Sequence, residues 1–189
     1  PKSFSLIAIH KFEIPLHFPD AVIEEAEQAA RLEISEEKRE DLRHLPIVAI
    51  DPADARDHDD AIWAEPDDNP DNKGGFKALI AIADVSYYVR SGSKLDREAY
   101  KRGNSVYFPD RVVPMLPEAL STDVCSLKQG VDRASLVCHV TINAKGQVIA
   151  SRFTRAIVKL AGNIAYEDAQ AAIDGKLDHP LKSKALEPL

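Results

Sequence analysis

Five aspartates fall within ten positions of this 189-residue sequence, in the run Ile50-Asp51-Pro52-Ala53-Asp54-Ala55-Arg56-Asp57-His58-Asp59-Asp60-Ala61. Two carboxylates about 5 Å apart repel by roughly 3 kcal/mol at an effective dielectric near 20, so a fold that gathers several needs protons, arginines or metal ions among them. One arginine and one histidine are too few. An acidic run in open solvent escapes that cost, but apolar segments frame this one, and Ala53 and Ala55 let the backbone turn tightly between acids. Oxygen donors without a thiolate favour Mg²⁺ or Mn²⁺ over zinc. A calcium EF-hand is excluded: begun at Asp51 it meets Arg56 and Ile62 where Gly and Glu belong, and begun at Asp54 it meets Arg56, His58 and Asp59 at the third, fifth and sixth places. Hard ions held in pairs about 3.5 to 4 Å apart stabilise the attacking and leaving oxygens of a phosphoryl displacement, which makes phosphodiester hydrolysis the natural chemistry. Extended backbone would put Asp57 and Asp59 on one face and Asp60 on the other, so convergence requires a turn. His58 reads as a bystander.

The net charge of −7 conceals an asymmetry, with 7 Lys or Arg against 18 Asp or Glu in residues 1–70 and 17 against 13 in residues 71–189. A basic half beside concentrated acid suits metal-assisted chemistry on phosphates, whereas the mixed charges of residues 24–41 read as a solvated face. Hydrophobic residues at 44%, charged residues at 29%, and only 8 Gly and 12 Pro exclude a disordered, collagen-like or low-complexity chain. The length suits one compact domain, or one with a piece of a second. The longest apolar patch, residues 78–83, is far short of the roughly 18 residues of a membrane span, so no membrane partner is expected. Cys125 and Cys138 stand apart without a CxxC pair, which argues against a disulfide framework or zinc site and predicts a cytoplasmic location. There is no basic-apolar leader and the first residue is Pro, so the sequence reads as an excised segment with neighbours missing.

The elements around the acid run follow from periodicity. Residues 3–9 predict a strand, the tail of another module, before Pro15 and Pro19 break the chain. Val22, Ile23, Ala26, Ala29 and Ala30 share a helical face, with Asp20 as N-cap. Residues 47–50 and 61–65 read as short strands on either side of the acids, residues 67–75 as a polar turn, and residues 76–85 as a buried strand. Leu95 and Ala99 predict an inward-facing helix over residues 94–102, ended by Gly103. Residues 111–118 read as Pro-punctuated loop, residues 135–142 and 147–158 as a hairpin across 143–146, and residues 166–173 as a closing helix. The fold class is α+β, with a mixed, mostly antiparallel β-sheet and flanking helices, and without the βαβ alternation of a doubly wound sheet.

The acid run resembles the catalytic signature of the RNB domain, the core of the ribonuclease II and ribonuclease R exoribonucleases. Further blocks resemble that family in order: Ile82-Ala83-Asp84-Val85-Ser86-Tyr87-Tyr88-Val89, Gly92-Ser93-Lys94-Leu95-Asp96-Arg97-Glu98-Ala99, the stretch from Gly103 through Tyr107-Phe108-Pro109-Asp110-Arg111 to Glu118, then Leu120-Ser121, Cys125-Ser126-Leu127 and Val131-Asp132-Arg133. Ordered blocks over roughly residues 45–170 are more specific than any single motif. The wording is closer to the ribonuclease R branch. By the same likeness, residues 1–44 resemble the end of a cold-shock-type OB module and a helical linker, and residues 45–189 the N-terminal part of an incomplete RNB domain.

The resemblance implies processive, Mg²⁺-dependent, 3′-to-5′ hydrolysis of single-stranded RNA to nucleoside 5′-monophosphates, with Mn²⁺ as a possible substitute and DNA not the preferred substrate. It implies that Asp51, Asp57, Asp59 and Asp60 are catalytic and hold the metal, while Asp54 stands outside that set. Tyr107 matches the tyrosine that stacks on the 3′-terminal base. Tyr166 matches a tyrosine near the RNA path, although the residues before it depart from the family's Arg-Leu-Thr. Arg90, Lys94, Lys101, Arg102 and Arg111 are phosphate-contact candidates by charge, set against ordinary surface exposure. The family's later segments, with an active-site arginine and glutamate, and its S1-type domain lie outside the sequence, so the fragment alone is expected to be weakly active or inactive and to self-associate through exposed apolar surface. A non-catalytic RNA-binding relative and an acidic divalent-metal-binding module are the alternatives.

Overall fold

The computed structural model describes residues 2–189, with side chains from Phe4 onward. In chain order the helices are α1 (Lys2–Lys11), α2 (Asp20–Ala30), α3 (Val85–Tyr88), α4 (Lys94–Arg102) and α5 (Tyr166–Ile173). The strands are β1 (Glu40–Asp41), β2 (Val48–Asp51), β3 (Asp60–Pro66), β4 (Phe76–Ala83), β5 (Val106–Phe108), β6 (Arg111–Val113), β7 (Asp132–Ile142), β8 (Val148–Lys159) and β9 (Gly162–Ala165). The chain divides into two compact units, one of residues up to Glu33 with Val85–Val124, the other of Ile34–Asp84 with Cys125–Leu189.

The second unit is a seven-stranded sheet in the order β1-β8-β7-β4-β3-β2-β9. All neighbours pair antiparallel except β1 with β8 and β2 with β9. The class is therefore the expected mixed, mainly antiparallel one. The β7–β8 hairpin turns where predicted. Asn143 Oδ1 accepts from the amides of Lys145 and Gln147, and Gly146 supplies the positive φ of 75° that closes the turn. The strand predicted over 76–85 ends at Ala83 and is half-buried rather than buried. Leu79, Ala81 and Ala83 point inward, while Ile80 and Ile82, on the opposite face of the pleat, remain 44% and 43% exposed. At the β2–β9 end of the sheet, Val48 and Ile164 pack with Ala169 and Ala172 of α5 and with Ala185 and Leu186. That cluster anchors the strand from which the acid run departs.

The first unit is mainly helical. Val22, Ala26 and Ala29 give α2 its buried stripe, but Asp20 is its first helical residue and Pro19 holds the cap position without a side-chain bond. Proline suits that place because a helix's first amides lack intrahelical partners in any case. α4 has the predicted bounds, capped by Ser93 Oγ accepting from the Asp96 amide and ended by Gly103 at φ 80°. Residues 3–9 are helical in α1, not a strand. Among the described residues no strand pairs with them, and a helix satisfies its own backbone. Ser5 Oγ instead donates to Asp110 Oδ2 at 3.0 Å. The stretch predicted as loop from residue 111 begins as β6, which pairs with β5 through Val106–Val113, Tyr107–Val112 and Phe108–Arg111. No helix among the described residues is long and apolar enough to cross a membrane.

Candidate active site

The acid run is the connection between β2 and β3. Asp51 is the last residue of β2, Asp60 the first of β3, and residues 52–59 leave the sheet between them. The run turns near its start, over residues 52–55, ahead of the Asp57–Asp60 stretch for which convergence required a turn. That turn is formed locally by the Ala55 amide bonding the Pro52 carbonyl at 3.0 Å. The Asp59 carbonyl is held by the Ala83 amide at 2.9 Å, which ties the end of the run to β4.

The carboxylates act on one another. Burial pushes Asp59 above the usual aspartate range, and the neighbouring charges of Asp57, Asp60 and Asp51 push it further, against a smaller opposing effect of His58. Asp59 still reaches solvent, as does Asp60, while Asp51 and Asp57 are half-buried. Among the described residues no group of three or more His, Cys, Asp or Glu side chains is placed, as it stands, to hold a metal ion. The donor types nonetheless fit a hard divalent cation, because the run offers carboxylate oxygens without a thiolate and such an ion would offset the repulsion that Asp57, Asp60 and Asp51 exert on Asp59. Cys125, the nearby sulfur, is buried and its thiol is pushed up to about 12 by desolvation and by the charge of Asp59, so it offers no thiolate at neutral pH.

His58 is not a bystander. Its Nδ1 lies 2.7 Å from Asp51 Oδ2, with the imidazole largely buried. The pairing joins the first acid to the middle of the run across seven residues, and sequence spacing carries no signal of it. Asp54 is exposed on the turn. Tyr166 opens α5 immediately after Ala165, the register partner of Asp51 on β9, and is 55% exposed. Parallel pairing of β2 with β9 thus brings Tyr166 beside the acid run. Tyr107 belongs to the other unit, on the β5–β6 hairpin opposite Val112, with 62% of its surface exposed.

The basic candidates separate into classes. Arg102 is not a phosphate contact. Its guanidinium is almost wholly buried, bonded to Glu98 at 2.9 Å and to the carbonyls of Pro114 and His17, and stacked 3.6 Å from the centre of the Phe18 ring. Arg111 is engaged by Asp110 at 3.1 Å, and Arg90 lies over the Tyr87 ring. Lys94 and Lys101 are exposed.

The model of the RNB domain matches residues 39–189. The chain is 42% identical over 184 residues to the ribonuclease R of Acidithiobacillus ferrooxidans, covering 96% of this chain and 41% of that protein. Among solved structures, Mycoplasma genitalium RNase R in complex with double-stranded RNA is 28% identical with a TM-score of 0.85, the match covering 95% of this chain and 32% of that one. The same enzyme in complex with ribose-methylated single-stranded RNA gives a TM-score of 0.82 at 28% identity, over 93% and 27% of the two chains. The sequence thus spans well under half the length of the relatives it resembles. An acid run at the β2–β3 connection, the sheet that presents it and a family match over most of the length together make this chain a member of the RNB-domain family.

Proposed function

We propose that this sequence carries the metal-binding part of the catalytic domain of a processive, Mg²⁺-dependent 3′-to-5′ exoribonuclease, which hydrolyses single-stranded RNA to nucleoside 5′-monophosphates in the cytoplasm. The observation that carries the reading is the placement of Asp51, Asp57, Asp59 and Asp60 on one connection, near enough that three of them raise the fourth. A bound divalent cation, Mg²⁺ or Mn²⁺, supplies charge neutralisation at the scissile phosphate and activation of the attacking water. The four aspartates hold it. Tyr107 offers an exposed ring on which a terminal base stacks whatever its identity, and Tyr166 borders the RNA path. The RNA complexes of the Mycoplasma relative support RNA as the ligand. By the same reading, residues 1–44 lead in from an OB-type module.

The test is release of mononucleotides from the 3′ end of a labelled single-stranded RNA by a polypeptide of the relatives' length carrying this sequence, with Mg²⁺. Absence of release, or activity unchanged by Asp59→Asn, refutes the enzyme reading. The 189-residue chain alone is expected to be weak or inactive. It should bind Mn²⁺, and binding that survives Asp51→Asn combined with Asp60→Asn removes these acids as the site. A second reading, an RNA-binding relative without catalysis, draws on the engagement of Asp51 by His58. RNA binding without cleavage by the longer polypeptide would select it.

A further inference from the structure

The backbone of the acid run is held from outside by a segment about 70 residues away. Ser126, fully buried, sits against it. The Ser126 hydroxyl accepts from the His58 amide at 3.1 Å and donates to the Arg56 carbonyl at 2.9 Å, so one oxygen bridges the peptide groups on both sides of Asp57. The next residue repeats the grip, the Leu127 amide donating to the His58 carbonyl at 2.8 Å. Ser126 and Leu127 are themselves fixed. The buried Arg133 donates through Nε to the Ser126 carbonyl at 2.9 Å, and Asn163 Nδ2 donates to the Leu127 carbonyl at 2.9 Å.

We infer that Ser126 is a positioning residue for the acid run, setting through two backbone bonds the directions in which Asp57 and Asp59 leave the chain. The inference rests on the proposed reading of those acids as metal ligands. Side chains on a segment outside the sheet take their direction from the peptide planes that carry them, and here the planes around Asp57 and His58 are held by Ser126 and Leu127. Alanine at this position would leave the His58 amide and the Arg56 carbonyl without that partner. Groups that orient ligands without touching the metal commonly account for 10–100-fold in metal affinity.

The experiment compares Ser126→Ala with Asn72→Ala in the 189-residue chain. Asn72 is also buried and bonds Asp67 and the Ile142 carbonyl in the turn beyond the opposite end of β3, so its loss tests general destabilisation of the same unit. Mn²⁺ affinity is read by electron paramagnetic resonance and His58 amide protection by hydrogen exchange. The expected result is a roughly tenfold weaker Mn²⁺ affinity and faster His58 exchange in Ser126→Ala, with both unchanged in Asn72→Ala. Mn²⁺ affinity within about twofold of the parent together with unchanged His58 protection overturns the inference, as does an equal loss in Asn72→Ala. If the parent chain itself takes up no Mn²⁺, the metal reading fails, and the positioning role is judged by His58 protection alone, where no change overturns it. Should Ser126→Ala not fold, Asn163→Ala, which releases Leu127, must loosen the His58 amide or the inference falls.

Discussion

Two acidic turns lie at the two ends of β3, and the fold treats them in opposite ways. Beyond Pro66, Asp67 accepts from Asn72 Nδ2 at 2.9 Å and from the Asn69 amide at 3.1 Å, and Lys77 reaches both Asp67 and Asp68. These hydrogen bonds hold both carboxyls below the usual range. Ahead of Asp60, the peptide groups of the run are bonded to Ser126, Leu127 and Ala83, but burial and three like charges raise Asp59. One turn has its charges satisfied within the fold. The other has peptide groups held by those bonds while Asp59 lies among like charges, a conflict that the proposed cation would offset.

The largest effect should come from the unsatisfied end. Asp59→Asn in the longer polypeptide is expected to lower mononucleotide release about a thousandfold, since several kcal/mol of charge stabilisation would go and each 1.36 kcal/mol is a factor of ten. A loss under about tenfold would break the comparison. At the satisfied end Gly75→Ala should cost about 1–3 kcal/mol by chemical denaturation, because a Cβ there would run into the Asn72 amide and the Ile142 carbonyl.

Next come opposite signs with pH. Asp59 has a raised folded-state pKa, so with a chelator present its ionisation costs stability as pH rises through that value, and Asp59→Asn should raise the Tm at pH 7. Asp67 is lowered, so its contribution is complete above the unfolded carboxylate value near 4 and is lost as pH falls through the folded one. Asp67→Asn should therefore lower the Tm at pH 7 and flatten the acid limb. Asp41, held down to about 2 by the Arg43 side chain, behaves like Asp67 and loses its contribution only toward that pH. Melting curves from pH 7 to pH 2 measure all three. The smallest effect is chemical. Cys125 should resist a thiol reagent at pH 8 in the native chain and react fully once unfolded, burial having removed its thiolate.

The exposed sheet face carries the expectation of self-association. Ile80, Ile82, Leu136 and Phe153 remain exposed on β4, β7 and β8. Phe153→Ser should leave stability within about 0.5 kcal/mol while reducing concentration-dependent sedimentation.

Where local signals coincide, sequence and structure agree. The helix of residues 94–102 combined an apolar i, i+4 pair with a terminal Gly, and its bounds hold to the residue. The β7–β8 hairpin had alternation on both sides of a polar turn. The failures fall where such signals were absent or misleading. The strand pattern of residues 3–9 found no pairing partner among the described residues, and β6 was hidden by neighbouring prolines. Arg102 was judged by charge, although its surroundings bury it against Phe18 and Glu98.

The types and order of the acids were present in the primary structure, as was their incompatibility with one another unless something offsets their charge, because Coulomb repulsion depends on little more than how many charges are gathered. Which carboxylate is buried enough to bear the conflict was decided by the tertiary fold, and which is engaged by His58 and what holds the loop by contacts between residues 7 to 70 positions apart. Hydrogen bonds are short and directional, so partners that distant in the chain become neighbours only when β2, β3 and the segment after Val124 meet in one fold.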